Sequence, residues 1–193
     1  MIQSKQDLKT YLRADNSWYE PLNTKSRFIA AFAHYPQRSL KRYLYFLRKQ
    51  EYYINTAKGS KIKGLLGLIY EGKKNKLGEK LGIDIPPNCF GKGLQIYHAG
   101  IIVNSNVRAG ENCVLHGGNC IGNNGITDAN PTLGNNVDIG YGAVLIGDIR
   151  IADDCVIGAN AVVNHSIPVS GSVVVGVPGK IIKTKNQQPE GTK

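Results

Sequence analysis

The 193-residue sequence predicts a mainly β protein, a parallel β-helix entered through an N-terminal α-helical domain. Three observations carry that expectation. Residues 103 to 175 repeat with a period of six, and the residue four places after each repeat leader is mostly small or β-branched. Helical patterning and the whole excess of positive charge are confined to residues 1–82.

The helical part comes first. Candidate helices lie near 4–14, 24–34, 38–57 and 61–80, punctuated by Pro21, Pro36, Gly59 and Gly82. Within the second half, Leu40, Leu44 and Leu47 fall on one face, whereas Lys41, Arg42, Arg48 and Lys49 fall largely on others and are expected to be solvated. Residues 1–82 hold 17 Lys/Arg against 6 Asp/Glu, within a net charge of +10 for the chain. Such a basic segment suits solubility, an anionic membrane surface or phosphate-linked substrates. No nucleic-acid-binding module accompanies it, so nucleic acid is not an expected partner.

The repeat follows, and residues 83–183 are assigned to it. Its leaders are Val103, Ala109, Leu115, Ile121, Thr127, Leu133, Ile139, Leu145, Ile151, Ile157, Val163, Val169 and Val175. Eleven of the 13 are Ile, Leu or Val, whereas the 60 residues between them hold only 12 such side chains. A period of six matches neither a helix nor a simple alternating strand. In a triangular solenoid each hexapeptide forms one side, its leader points inward, and three sides complete an 18-residue coil. The second column, Val107, Cys113, Gly125, Val137, Ala143, Cys155, Ala161 and Val173, suits a narrow core. Asn119, Pro131, Ile149 and Ile167 depart from it without introducing an aromatic ring. The ends of such a stack require caps, and residues 184–193 read as a flexible tail.

Cys89, Cys113, Cys120 and Cys155 lack CxxC spacing and read as free thiols of a reducing compartment. The first 16 residues have no apolar h-region, and no stretch approaches the roughly 18 apolar residues of a membrane span. A cytoplasmic protein is expected.

Histidine supplies the candidate chemistry. His98 and His116 are 18 residues apart, one coil if the register extends upstream of Val103 through Tyr97 and Gly91, and would then stack on one face. Neutral imidazole suits acyl transfer to a hydroxyl, because it removes the alcohol proton while backbone N–H groups stabilise the oxyanion. Asp84 is the candidate to orient the ring. His34 and His165 have no comparable partner.

The stretch from Gly82 to Lys183, GIDIPPNCFGKGLQIYHAG through SVVVGVPGKIIK, resembles the serine acetyltransferase-related branch of the hexapeptide acyltransferases. The resemblance implies a left-handed β-helix and an acetyl-CoA-dependent transferase with no metal. By the family's Asp-His-Ala-Thr-Gly and Asp-Ile-His-Pro motifs, His98 becomes the general base and Asp84 its orienting partner. His116 is a further candidate beside them. Asn119, Gly142, Ala143, Ala161, Gly176, Pro178 and Lys180 fall where such enzymes meet coenzyme A: small residues admit the pantetheine arm and Lys180 could meet a phosphate. The resemblance also implies a homotrimer with sites between neighbouring prisms, and further assembly through the helices.

Two departures bear on the acceptor. Tyr97 stands where the serine enzymes carry Asp, and Asp128, Ala129, Asn130 and Pro131 replace Asp-Arg-His-Pro. A desolvated Arg–carboxylate pair is worth about 1.5 to 3 kcal/mol. Its loss points the expectation away from free serine and toward a sugar hydroxyl of a bacterial surface polysaccharide, acetylated at the inner membrane face. Tyr97 and Asn130 would then contact the glycan acceptor. Serine O-acetyltransferase is the alternative. A zinc enzyme of the carbonic anhydrase type needs a third histidine at matching spacing, and a non-catalytic scaffold leaves the GVPGK signature unexplained.

Overall fold

The computed structural model describes residues 1–19 and 36–184. The expected helix at 24–34 and all but the first residue of the expected tail lie outside them. The chain is a left-handed parallel β-helix with helices at its N-terminal end. Helix α1 spans Lys5–Asn16, α2 Pro36–Thr56 and α3 Lys61–Leu81. Ser4 and Ser60 are N-caps, accepting from the backbone N–H of Asp7 and Lys63. Gly82, at φ 62°, ends α3 in the left-handed region that a side chain resists.

Three parallel faces form the solenoid. The first stacks β1 (Ile83–Asp84), β3 (Ile101–Val103), β6 (Cys120–Gly122), β9 (Val144–Ile146) and β12 (Val162–Val163). The second stacks β4 (Arg108–Ala109), β7 (Thr132–Leu133) and β10 (Arg150–Ile151). The third stacks β2 (Gln95–Ile96), β5 (Val114–Leu115), β8 (Asp138–Ile139), β11 (Val156–Ile157) and β13 (Ser172–Val175), with β14 (Lys180–Thr184) antiparallel on its end.

Leaders fill the interior: Leu115, Ile139, Leu145, Ile157 and Val163 are wholly buried, as are Val107, Val137, Ala143, Cys155 and Ala161 of the second column. Three departures from the strict hexapeptide count emerge. Upstream of Val103 the inward residues are Ile96 and Phe90 rather than Tyr97 and Gly91, because Ile96 pairs with Leu115 and Phe90 bridges Ala109. Thr127 is exposed, on a loop over 123–130 that lengthens one coil: Leu115 pairs with Ile139, 24 residues on. Six extra residues leave the phase of the repeat intact. After Val163 the coil shortens, so Ile167 and Val174 turn inward while Val169 is 48% exposed and Val175 is only half-buried.

The first coil has no coil above it, and its backbone groups would lack partners. Helix side chains supply them. Tyr43 Oη accepts from the Ile85 N–H and Lys74 Nζ donates to the Ile85 carbonyl, both at 3.0 Å. Arg48, expected on a solvated face, is instead wholly buried. It donates to the carbonyls of Phe90 (3.0 Å) and Gly91 (2.6 Å) and pairs with Asp15 (2.7 Å) and Glu51 (3.0 Å). Asp15 accepts from the N–H groups of Gly93 and Leu94, Glu51 from that of Asn88, and Tyr19 Oη donates to Ile96 O. Leu40, Tyr43, Leu44 and Leu47 of α2 continue the solenoid core without a break. The helices are therefore a polar and apolar lid on an otherwise raw edge.

Burial pushes the Cys89 thiol up to about 11 and the Cys113 thiol to about 12. Cys155 is also buried and Cys120 exposed.

Candidate active site

The candidate residues gather along the edge where the third face turns into the first. Successive coils ladder there through the backbone: Gly100 N–H donates to Leu81 O, Gly118 to Ala99, Gly142 to Gly117 and Asn160 to Tyr141, at 2.8 to 3.1 Å. The turning residues Gly82, Gly100, Gly118, Gly142 and Asn160 all have positive φ. A Cβ on Gly142, at φ 71°, would stand 2.2 Å from Asn160 Oδ1, so a side chain there would have to push that amide aside. One level further on, the Gly176 carbonyl accepts from Val162 N–H and the Gly179 N–H donates to Val162 O. The GVPG turn, with its cis Val177–Pro178 bond, therefore closes the same edge.

His98 stands at the first level of this edge and is exposed. Because the register there is 19 residues, His98 lies against Gly117, whose Cβ would come 2.7 Å from the histidine's own Cβ. The glycine is what makes room for it. His116 therefore packs against Tyr97, with ring centroids 4.8 Å apart and the rings tilted by 57°, and not on His98 as an 18-residue coil required. Only a backbone register that counts the extra residue between Ile96 and Val103 brings this out.

His116 has a carboxylate partner that sequence reasoning missed. Its Nε2 lies 2.8 Å from Asp138 Oδ1, with both side chains about 40% exposed. An ionised carboxylate only accepts, so Nε2 is the donor. Asp138 lies opposite Val114, which makes it the diagonal same-face neighbour of His116 across adjacent coils. The loop at 123–130 separates the two in sequence and hides the pairing. Among the described residues no hydrogen bond joins Asp84 to His98. Asp84 is exposed on the first face, opposite Ile102.

The expected coenzyme A residues divide into two sets. Gly142 is half-buried, and Gly176, Pro178 and Lys180 are exposed, along the His98 edge or at its far end. Asn119, Ala143 and Ala161 are buried, and their side chains belong to the corner core. Asn119 Oδ1 accepts from Gly117 N–H at 3.0 Å and its Nδ2 donates to Gly140 O at 2.8 Å. This amide clamps the turn on which His98 rests. Tyr97 is 44% exposed beside the histidines. Asn130 sits in the 123–130 loop on the corner after the first face, and its Nδ2 donates to Asp128 O at 2.7 Å. The structure thus unites Tyr97, His98 and His116 but leaves Asn130 on another corner of the same chain.

Among the described residues no group of three or more His, Cys, Asp or Glu side chains is placed to hold a metal. None of the described helices is long and apolar enough to cross a membrane.

No family model matches the chain. It is similar to serine acetyltransferases of Mycobacterium tuberculosis (39% identical over 114 residues, 57% of this chain and 49% of the relative) and Staphylococcus aureus (40% over 106 residues, 53% and 49%). The serine acetyltransferase of Synechococcus elongatus is 36% identical over 105 residues, 52% of this chain and 43% of the relative. The chain spans about half the length of these curated relatives. Among solved structures, soybean serine acetyltransferase superposes with a TM-score of 0.68 at 20% identity, covering 92% of this chain and 70% of that one. The Neisseria gonorrhoeae enzyme gives 0.65 at 24%, covering 95% and 68%. A coenzyme A complex of the Brucella abortus enzyme gives 0.62 at 22%, covering 95% and 69%. These structural likenesses establish the fold.

The expectation of a surface-polysaccharide acceptor is overturned by the sequence relatives, which are serine acetyltransferases at 36 to 40% identity. Ala129 and Tyr97 remove particular anchors for an amino acid, but a missing anchor does not specify a different acceptor.

Proposed function

We propose that this chain transfers the acetyl group of acetyl-CoA to the hydroxyl of serine, with His98 as general base. The observation that carries the reading is the edge itself. One imidazole stands at its head, and below it the turns at Gly118, Gly142 and Asn160 lead to the GVPGK loop four coil spacings on, a run of about 19 Å at ~4.8 Å per coil. That is the scale of an extended pantetheine arm.

On this reading His98 takes the serine hydroxyl proton as the oxygen attacks the thioester carbonyl. The tetrahedral intermediate then collapses, and the proton leaves with the thiol of coenzyme A. Asp84 is assigned to orient His98 on the strength of the shared motif. Gly142, Gly176 and Pro178 give the pantetheine close access to the backbone, and Lys180 serves a phosphate. Asn119, Ala143 and Ala161 act from inside by holding the corners in shape.

His116, fixed by Asp138 and packed on Tyr97, supplies a hydrogen-bonding side chain on the acceptor side where the Arg of the serine enzymes is lacking. The proposed assembly is a trimer with this edge facing a neighbouring prism, supported by the exposure of Ile102, Tyr141 and Val177 (59, 55 and 72%) on and beside the edge. The free thiols of Cys89, Cys113 and Cys120 support a reducing, cytoplasmic setting.

The test is serine-dependent release of the coenzyme A thiol from acetyl-CoA by the purified full chain. Release that rises with serine, accompanied by O-acetylserine in the mass spectrum, is expected. Release at the same rate with and without serine would overturn the acceptor assignment.

A further inference from the structure

We propose that the outward face of α3 docks on an anionic membrane surface, an inference independent of the acetyl-transfer reading. A surface helix ordinarily turns its large apolar residues inward. Helix α3 keeps Leu77 and Leu81 against the solenoid core but turns four other large aliphatic residues outward. Its inward side carries Gly67 and Gly78, both buried: a Cβ on Gly67 would stand 3.2 Å from the Ile54 side chain, and one on Gly78 2.4 Å from the Ile83 carbonyl oxygen. Its outward side carries Ile62 (74% exposed), Leu65 (59%), Leu68 (66%) and Ile69 (41%). Positions 62, 65 and 69 fall in one stripe at helical spacing. The solenoid does not need this face, because the close glycine packing already seats the helix.

Charge decides what covers it. Lys58, Lys61, Lys73, Lys76 and Lys80 are exposed along or beside the stripe, against one exposed acid over the same stretch, Glu79. Two copies of this face set against each other would oppose lysine to lysine. Four aliphatic side chains also fall well short of the roughly 20 to 30 residues that each side of a stable protein interface contributes. An anionic bilayer meets both features at once: headgroup charge attracts the lysines, and the aliphatic stripe enters the interfacial layer with the helix lying flat. The excess of 17 Lys/Arg over 6 Asp/Glu in residues 1–82 favours that approach, whereas the remainder of the chain is near-neutral.

Flotation of the full chain with vesicles tests this. With mixed phosphatidylglycerol and phosphatidylcholine vesicles the protein co-floats at low salt and is released at high salt; with phosphatidylcholine alone it stays at the bottom. A Leu65→Ser/Ile69→Ser variant and a Lys73→Gln/Lys76→Gln variant, all at exposed positions, each bind the anionic vesicles about tenfold more weakly or worse while keeping the parent's circular dichroism. Equal binding by parent and variants overturns the proposal. So does absence of vesicle binding together with a concentration-dependent self-association, in sedimentation velocity, that Leu65→Ser/Ile69→Ser abolishes; that result assigns the face to a second copy.

Discussion

Gly64 and Gly78 occupy one helix under opposite constraints. A Cβ at Gly64 meets nothing within 4 Å, whereas one at Gly78 would strike the Ile83 carbonyl oxygen and the Tyr43 ring. Gly64→Ala is therefore expected to raise stability by about 0.5 to 1 kcal/mol through helix propensity. Gly78→Ala is expected to lower it by about 1 to 3 kcal/mol despite the same propensity gain, and urea midpoints of the two variants check the pair. Arg48 is the other residue whose surroundings reverse its ordinary meaning. Arg48→Met leaves Asp15 and Glu51 buried without a countercharge and should cost about 3 to 5 kcal/mol in the same assay. Neither effect was legible in the sequence. Helical spacing marks Arg48 as off the leucine face of α2, and only the solenoid end packed above it makes that position interior. His98 was legible as a candidate because its neighbours match a motif, whereas Asp138 was not, since its partner lies across a coil lengthened by a loop.

The contact between helices and first coil carries a signature in alkali. Burial raises the Tyr19 phenol from its ordinary 10.0 to about 12, and raises Tyr43 in the same direction. The folded protein keeps these protons at a pH where the unfolded chain gives them up, so unfolding releases protons and stability falls as pH rises from about 10 toward about 12. Lys74, lowered by burial from 10.5, contributes with the opposite sign just below that value. Denaturant midpoints measured from pH 9 upward are therefore expected to drop above about pH 10, and Tyr19→Phe to lessen the drop. Elements were the best-read level of this chain. The hexapeptide period found the faces and their inward residues, because a narrow core tolerates only aliphatic leaders. It erred where coil length changed: one residue more before Val103, six more at 123–130, and fewer after Val163. A periodic pattern registers phase and not length, so the six-residue loop passed unseen. The shift after Val163 was masked because the expected leaders Val169 and Val175 are as aliphatic as the true inward residues Ile167 and Val174.

At the scale of the whole molecule, the charge is divided between a basic helical end and a near-neutral solenoid, and the proposed chemistry lies near their boundary. His98 is on the first complete coil, just below the Arg48 network, so the lid that satisfies the raw edge also steadies the turn holding the proposed base. The glycan expectation arose from two substituted positions, whereas the similarity to a serine acetyltransferase extends over 57% of the chain. The account stands or falls on which imidazole moves the proton. The most direct measurement is single-turnover acetyl transfer to serine by the parent chain, His98→Ala and His116→Ala, each at saturating acetyl-CoA. The account predicts that His98→Ala slows the transfer by about 10²- to 10⁴-fold with acetyl-CoA still bound, while His116→Ala chiefly raises the serine concentration required. Full-rate transfer by His98→Ala, with the loss falling on His116→Ala instead, would contradict it.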